Sequence, residues 1–529
     1  MTTYLSQADE RPGDQVAHPT EPAAGDPVAV AVRLRSPVRE GLEARFGPSD
    51  PRQGWDLTRN PRIARLVRSR KFQFLLIVPN QVIFWTVIFV GLLGTAIPGL
   101  NFGAAITWYV WFCLVFVMMV IVGRAWCAMC PFGGFAEWVQ RHTFWRRTEK
   151  PIGLNLKFPP QLAQLGFVLP VVSFLLLTWI EEYFNIAGPG NPAATSFMVI
   201  GIVGSALTFF LVFERRTFCR YICPLTSLIG TVGSMGTVAG FRTRDRETCL
   251  SCATKDCMRG GDEGFGCPWY TWPGSADSNL YCGLCSECYK SCPQDNVGLF
   301  LQKPLTSVVA PRRRRGDVAW AIALLWGLVV YQQVNATNVY ARAEGWLNSA
   351  MHFPHYPNPV AYLAVIVTVA LLTAGFGRLL GRWFARRDLA VEGPDGFLER
   401  ASRFRTFFVP IAYGLIPVMG ADYFARQLPK FFEYSPRLVP ATAHLFGLAG
   451  TNSALYSTRI LSVPGIVLVQ VLVVALGTAA ALWSTWRIGS RELVPLSRSA
   501  FGVRLATTTF VLACGATAAV LYVIMHAAN

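Results

Sequence analysis

The chain has 529 residues, of which 52% are hydrophobic and only 15% are charged. Soluble domains carry roughly 25% charged residues, so this composition excludes an ordinary soluble protein and indicates a membrane protein. The formal net charge is +17, and the basic residues stand beside apolar runs, as at Arg141–Lys150 and Arg312–Arg315. That placement is typical of the cytoplasmic ends of membrane helices and does not favour nucleic-acid binding.

Residues 1–70 precede the first apolar run and are rich in Pro, Gly, Ala, Asp and Arg. This composition predicts a disordered cytoplasmic tail. The apolar runs that follow have the length of about 20 residues that spans a bilayer, and they predict about nine transmembrane helices. These are Phe72–Ile97, Ala104–Val122, Leu162–Trp179, Phe197–Phe213, Val318–Val334, Val360–Leu380, Phe407–Phe424, Val463–Trp486 and Val503–His526.

Arg and Lys are concentrated in alternate connecting segments, namely 1–71, 123–161, 214–317, 381–406 and 487–502. The positive-inside rule places these segments in the cytoplasm, which predicts a multi-pass protein of the bacterial inner membrane. The predicted fold is thus a polytopic α-helical membrane protein with a cytoplasmic ferredoxin-like insert. Its predicted parts are a four-helix membrane core at 71–240, the insert at 241–310 and a C-terminal membrane domain of about five helices at 311–529.

Two cysteine pairs stand at the cytoplasmic ends of the second and fourth predicted helices. One reads Cys127-x2-Cys130-Pro131 and the other Cys219-x3-Cys223-Pro224, and a basic and an aromatic residue precede each pair. The first four helices therefore read as two copies of one unit, a helix pair followed by a Cys-Pro motif. Internal repeats in membrane proteins often place a shared site at their interface.

Eight further cysteines lie in the insert, in two related motifs. The second motif, Cys282-x2-Cys285-x2-Cys288-x3-Cys292-Pro293, has the spacing of a bacterial ferredoxin cluster loop. The first motif, Cys249-x2-Cys252-x4-Cys257-x9-Cys267-Pro268, is a stretched copy of the same plan. Cytoplasmic cysteines stay reduced, which favours metal ligation over disulfides.

The fourth cysteine of each motif ligates the other cluster in two-cluster ferredoxins, so the spacing predicts two [4Fe–4S] clusters with exchanged fourth ligands. The predicted sets are Cys249, Cys252, Cys257 and Cys292 for one cluster, and Cys282, Cys285, Cys288 and Cys267 for the other. A pair of structural zinc sites is the alternative, but such sites normally show two separated CxxC pairs.

The chemistry of the four membrane-edge cysteines, Cys127, Cys130, Cys219 and Cys223, is open at this point. Four thiolates can bind a cluster or a zinc ion, and two CxxC-like pairs can act as redox dithiols. The bland alternative is that each Cys-Pro only ends a helix, since proline cannot continue it.

Glu181 and Glu182, at the outer end of the third predicted helix, are candidates for proton transfer at a quinol site, because ionisable residues near a membrane interior are functional candidates by default. The alternative is that they mark the helix end at the interface. A haem is not expected, because no pair of histidines on facing helices is evident.

The two membrane Cys-Pro motifs, followed by the two-cluster insert, resemble the NosR/NapH family of membrane-bound polyferredoxins. The core is shared with the CcoG/RdxA/FixG family of oxidase accessory proteins. The resemblance covers about residues 70–310 and twelve cysteines in order. It implies electron transfer between the quinone pool and a partner through cytoplasmic clusters. The helices after residue 310 have no counterpart in NapH.

Three functions follow as hypotheses. The first is a membrane electron-transfer protein between the quinone pool, or a membrane cytochrome or reductase, and the [4Fe–4S] clusters, acting as a component of a respiratory or reductase system rather than as a stand-alone enzyme. The second is an accessory factor that supplies electrons for maturation of a metalloenzyme, including copper reduction. The third is a membrane scaffold whose clusters are structural.

Overall fold

The structure is a computed structural model that describes residues 54–144, 152–188, 190–311, 313–386, 396–448 and 453–527. This part of the chain is almost entirely helical and has a single three-stranded sheet. The helices of the first half are α1 (Pro61–Arg68), α2 (Phe72–Leu93), α3 (Phe102–Val122, π-helical at Ala105–Trp111), α4 (Trp126–Met129), α5 (Pro131–Arg141), α6 (Pro160–Gln164), α7 (Val168–Tyr183), α8 (Pro192–Val212), α9 (Leu225–Gly233), α10 (Arg246–Ser251), α11 (Asp256–Arg259), α12 (Glu287–Lys290) and α13 (Thr306–Val309). The strands are β1 (Trp55–Asp56), β2 (Val238–Thr243) and β3 (Val297–Leu301).

The second half continues with helices only. They are α14 (Gly316–Val334), α15 (Asn338–Met351), α16 (Pro359–Phe384), α17 (Gly396–Gly414), α18 (Ile416–Tyr434), α19 (Leu438–Leu445), α20 (Ala454–Ser457), α21 (Val463–Glu492) and α22 (Ala500–Ala527). The helix α14 is surrounded by other helices, and 72% of its apolar stretch is buried inside the protein. It packs against α16, α17 and α7, so it joins the C-terminal helices to the first half.

Seven helices in the described part of the chain are long and apolar enough to cross a membrane, namely α2, α3, α8, α14, α16, α21 and α22. The pair Phe404–Gly414 and Ile416–Leu445, bent by 40°, adds an eighth candidate span. The predicted third span differs, because the chain breaks at Gly166 (φ +53) and α7 begins only at Val168. With 16 residues, α7 is shorter than the roughly 20 residues that cross a bilayer. The described chain thus has seven or eight candidate spans where the sequence predicts about nine.

The two copies of the predicted repeat interlock. In the first copy α2 and α3 lead into α4 and α5, and in the second α7 and α8 lead into a π-helical turn, Phe218–Ile222, and α9. The short last helix of each copy packs on the long helix of the other, since α5 contacts α8 and α9 contacts α3. Each Cys-Pro motif is therefore held by elements of both copies. The helix α9 is buried from Thr226 to Gly233, so it lies inside the protein rather than on its surface.

The insert is built around the small antiparallel sheet, whose strand order is β1-β3-β2. The edge strand β1 comes from the N-terminal segment, where Trp55 pairs with Leu301. The helix α1 follows, capped by the Asn60 side chain, and it buries Val67 against the insert. The prediction of a disordered tail at 1–70 is therefore wrong for residues 54–70, which are folded onto the insert; residues 1–53 lie outside the described part.

Candidate redox site

The first predicted ligand set of the insert comes together in space. Asn296 donates its side-chain amide to Cys249 Sγ (3.4 Å) and its backbone N–H to Cys292 Sγ (3.3 Å), so the first and last cysteines of the insert lie beside one residue. Burial, followed by the charges of Cys292, Cys249, Cys252 and, last, Cys267, raises the pKa of the Cys257 thiol to about 12. The three cysteines of the first motif thus share their surroundings with the last cysteine of the second motif.

Cysteines of the second predicted set also lie close together. Burial, followed by the charges of Cys267, Cys282, Cys285 and Cys257, raises the pKa of the Cys288 thiol well above its usual value. The last cysteine of the first motif therefore lies near the three cysteines of the second motif. An exchange of fourth ligands between two clusters, which stays a prediction, requires this proximity.

The backbone of β2 approaches Cys282 closely. Ala239 is left out of the pairing with β3 as a bulge, and Gly240, which follows, has φ +90. A Cβ on Gly240 would lie 2.7 Å from Cys282 Sγ, and the next backbone N–H, that of Phe241, donates to this sulfur at 3.5 Å. A bulge re-aims the chain, and here it turns an N–H toward a cysteine where only glycine leaves room.

The membrane-edge pairs reach comparable positions in spite of their different spacing. The first pair stands around the single turn α4, whereas the second lies on the π-helical turn Phe218–Ile222. In that turn the Cys223 N–H donates to the Phe218 carbonyl, five residues back, at 2.8 Å. A π-turn holds one residue more than an α-turn, so it accommodates the extra residue of the second copy before its Cys-Pro.

All four membrane-edge cysteines are neighbours, although they come from two separate parts of the chain. Burial, followed by the charges of Cys223 and then Cys127, raises the pKa of the Cys130 thiol to about 12. Burial also raises the pKa of Cys219, and the charges of Cys223, Cys130 and Cys127 add to that rise. A Cβ on Gly133, in the first copy, would lie 3.2 Å from Cys219 Sγ in the second. The two copies therefore meet at their thiols.

A buried arginine precedes the first cysteine of each copy by three residues. Arg124 is 1% exposed, and its Nε donates to Cys127 Sγ at 3.3 Å. The same guanidinium donates to the Leu280 carbonyl of the insert and lies over the Trp269 ring, 4.1 Å from its centroid. Arg124 thus bridges the first membrane-edge pair and the part of the insert between Cys267 and Cys282.

Arg216 has the same position in the second copy and is 3% exposed. Burial raises the pKa of both Cys219 and Cys285, and the positive charge of Arg216 opposes that rise at both thiols. Its guanidinium also forms an ion pair with the buried Glu137 of α5. Arg216 therefore lies between a membrane-edge cysteine and the second cysteine set of the insert.

The chemistry of the donors bears on the type of metal site. Within the described residues, no group of three or more His, Cys, Asp or Glu side chains is arranged to hold a metal ion as it stands. The donor set is all-sulfur, which suits iron–sulfur clusters or zinc.

A cavity of about 420 Å³ lies between the repeats and the C-terminal helices. Its lining is mainly apolar and aromatic, and it includes Trp108 and Trp111 from the π-helical part of α3. At one end lie Glu181 and Glu182. At the other, the lining includes Trp126, Pro131 and Leu225, which adjoin the membrane-edge cysteines in the sequence.

The C-terminal helix α18 supplies charged residues that the sequence did not single out for this site. Arg426 and Lys430 line the cavity together with Glu181 and Glu182. Lys430 Nζ lies 5.2 Å from the centroid of the Trp108 ring, and Arg426 donates to the Gln332 carbonyl at 2.6 Å. Because Arg426 and Lys430 are far from the glutamates in the sequence, no local pattern predicts this grouping. The sequence shows only a pair of basic residues within an apolar, proline-containing run.

A family model described as a 4Fe-4S binding domain matches the chain twice, at residues 104–152 and at residues 195–241. Each match covers the second long helix and the Cys-Pro motif of one copy of the repeat, and each contains one membrane-edge pair. No curated protein and no solved structure matches the chain. The chain is thus similar to iron–sulfur proteins of the ferredoxin type, and its helices are compatible with a multi-pass membrane protein.

Proposed function

We propose that this chain passes electrons between a quinone in the membrane cavity and two [4Fe–4S] clusters of the insert, as a component of a respiratory or reductase system. In this proposal it is a multi-pass protein of the bacterial inner membrane with the insert on the cytoplasmic side. The observation that carries the proposal is the cavity, which joins the carboxylates Glu181 and Glu182 to residues beside the membrane-edge cysteines.

The cavity fits a quinone ring in size and chemistry. Binding pockets for small molecules have volumes of about 300–1,000 Å³ and mostly apolar walls with a few polar groups. The aromatic lining from α3 suits a flat ring, and the charged residues lie together at one end. A π-helical segment of this kind is frequent at functional sites, and here it directs Trp108 and Trp111 into the cavity lining.

The polar end of the cavity is suited to proton transfer. A bound quinol releases two electrons and two protons when it is oxidised to the quinone. Glu181 and Glu182 are the carboxylates that line the cavity, and Glu182 Oε2 accepts a hydrogen bond from the Tyr331 hydroxyl at 2.9 Å. Burial disfavours the ionised form of both glutamates, and the charges of Arg426 and Lys430 offset part of that cost. Each glutamate can therefore accept one proton and pass it to the outer face.

The assignment of the clusters is supported by the cysteine spacing and by the contacts of Asn296 with Cys249 and Cys292. We assign Cys249, Cys252, Cys257 and Cys292 to one cluster, and Cys267, Cys282, Cys285 and Cys288 to the other. Asn296 and Phe241 direct backbone N–H groups at Cys292 and Cys282. Hydrogen bonds to cluster sulfurs are one of the factors that set reduction potential, and each predicted cluster has at least one such donor.

Replacing the cavity carboxylates is expected to slow quinol-driven reduction of the insert clusters. General acid–base groups contribute about 10²–10⁴-fold to rate, so we expect Glu181→Gln and Glu182→Gln to lower the reduction rate by about 10²-fold. The measurement is the rate at which a water-soluble quinol bleaches the cluster absorbance of the full chain, purified without oxygen and held in lipid nanodiscs.

The matched control is Glu433→Gln, on the same helix as Arg426 and Lys430 but outside the cavity lining. Its rate should equal that of the wild type, and all variants should be reduced equally fast by dithionite, which needs no cavity. If quinol does not reduce the wild-type clusters while dithionite does, the quinone proposal is wrong. The other hypotheses, an accessory factor or a scaffold, would then be the ones to test.

Gly240→Ala is expected to disturb the cluster assigned to Cys282. The substitution puts an L residue at φ +90, at a cost of about 1–2 kcal/mol, and puts its Cβ 2.7 Å from Cys282 Sγ. We expect an altered EPR spectrum for that cluster and faster loss of its iron in air. Gly447→Ala is the control, since Gly447 has φ +71 and open space around its Cβ position. Equal cluster spectra in the two variants would show that the close approach of residue 240 to the Cys282 thiolate does not affect the cluster.

A further inference from the structure

We propose that the membrane-edge cysteines, Cys127, Cys130, Cys219 and Cys223, together hold a third [4Fe–4S] cluster, to which each copy of the repeat contributes two ligands. This inference goes beyond the two clusters of the insert, and it stands or fails independently of the quinone proposal.

The first argument is the way in which the two copies meet. The short helices α5 and α9 each pack on a long helix of the other copy, so the copies are joined at their Cys-Pro ends. Cys219 Sγ lies 3.2 Å from the Cβ position of Gly133, three residues after Cys130. The absence of a side chain at Gly133 leaves room for this sulfur, so the thiols of the second copy approach the motif of the first.

The second argument is the equivalence of the two pairs. Each pair ends in Cys-Pro after a single helical turn, and the extra residue of the second copy is taken up by its π-turn. Nothing in the ending of a helix requires this adjustment, because proline alone ends it. A shared four-thiol site does require it, since both members of each pair must face a common centre.

The third argument is charge. Four thiolates around a [4Fe–4S] core carry a net negative charge, and a buried charge is tolerated only where an opposite charge accompanies it. Arg124 and Arg216 are both buried and stand three residues before the first cysteine of their copies. Arg124 donates directly to Cys127 Sγ. The two copies therefore each bring two thiols and one cation to the same place.

The fourth argument concerns the type of group. The model described as a 4Fe-4S binding domain matches these two segments, and each match contains one of the pairs. A disulfide within each pair would remove the thiolate that the buried Arg124 contacts, whereas Arg216 also has Glu137 as a partner. An all-thiolate site suits zinc or an iron–sulfur cluster, and the match to a 4Fe-4S binding domain favours the cluster.

The position of this site adds a consequence for electron transfer. Trp126, Pro131 and Leu225 line the cavity beside the cysteine pairs, and Arg124 reaches from Cys127 to the Leu280 carbonyl and the Trp269 ring of the insert. A cluster at the membrane edge lies between the cavity and the second cysteine set, so it can take one electron at a time from one side and give it to the other.

The test is the iron content of the full chain, purified anaerobically in nanodiscs. Three clusters of four irons predict about 12 iron and about 12 acid-labile sulfide per chain. Cys130→Ala and Cys219→Ala should each lower both to about 8, and the double variant should lose no more than either single one, because the cluster is shared. Cys514→Ala, a cysteine of α22 far along the chain from every motif, should leave the content unchanged.

Three results would overturn the inference: about 8 iron in the wild type, zinc in place of the missing iron, or a double variant that loses twice as much as the single ones. A variant that fails to fold is recognised because the EPR spectra of the insert clusters, measured in the same sample, are also lost. A wild type with about 12 iron that quinol cannot reduce would support the third cluster and refute the quinone proposal, so the two failures are distinguishable.

Discussion

Replacing Cys292 by alanine is expected to remove the cluster that the distant Cys249, Cys252 and Cys257 hold, and to spare the cluster of the motif in which Cys292 itself stands. The reason is the exchange of fourth ligands: Asn296 contacts both Cys249 and Cys292, and the charge of Cys292 is the largest cysteine contribution to the raised pKa of Cys257. We expect the loss of about four irons per chain and of one of the two insert EPR signals.

Cys267→Ala is the converse variant and provides the matched control. It should remove the cluster of Cys282, Cys285 and Cys288 and leave the other. Spectra of the two variants should therefore be complementary, and their sum should reproduce the signals of the wild-type insert. If Cys292→Ala instead removes the signal that Cys285→Ala also removes, each motif binds its own cluster and the exchange is refuted.

Spacing alone predicts candidate cluster ligands, because a cluster loop is a local feature. The ferredoxin motif at Cys282 to Cys292 and the repeated Cys-Pro ends are visible as short patterns. The structure brings cysteines of the two insert motifs near one another, as at Asn296, and the assignment of ligands to clusters stays a prediction. The number of membrane spans is predicted less well, because an apolar run gives the length of a stretch and not the residues at which its helices begin and end. At Gly166 the chain adopts φ +53, which divides a run that composition alone treats as continuous.

Composition does not predict the contacts between segments that are distant in the sequence. The pairing of Trp55 with Leu301 uses a strand of only two residues, too short to give an alternating pattern, so the segment before residue 70 reads as a tail. Arg426 and Lys430 share a cavity with Glu181 and Glu182 only because α18 and α7 both line it in the fold. No local pattern links these residues, because the two pairs are far apart in the sequence.

The two arginines at the membrane edge follow the positive-inside pattern and also interact with the cysteines. Arg124 and Arg216 belong to the basic residues that follow apolar runs, and the positive-inside rule explains such residues by contact with the cytoplasm. In the fold both are buried, and each faces a cysteine of its own copy and a group of the insert. Local charge therefore accounts for their burial, and the side of the membrane on which they lie stays a prediction of the positive-inside rule.

The second large effect is expected at Glu137, which holds Arg216 in place. Glu137 is 5% exposed; it forms ion pairs with Arg216 and with Arg141, the latter at 2.5 Å. Burial by itself would raise the pKa of Glu137, but the charges of Arg141 and Arg216 outweigh burial and lower it. Removing one partner of a buried ion pair costs about 3–5 kcal/mol, so Glu137→Gln should strongly lower the thermal stability of the chain in nanodiscs.

The lowered pKa of Glu137 also determines how its contribution to stability depends on pH. Because the pKa of Glu137 is lower in the folded chain, its stabilising contribution is present above the unfolded-state pKa and is lost as the pH falls through the folded-state pKa. The difference in melting temperature between wild type and Glu137→Gln should therefore be largest near neutral pH and shrink in acid.

Glu263→Gln is the control, since Glu263 pairs with Arg70 at 3.5 Å on the surface, where ion pairs contribute about 0–1 kcal/mol. Equal melting temperatures for the two variants would show that Arg216 does not depend on Glu137, and the second membrane-edge pair would then need another anchor.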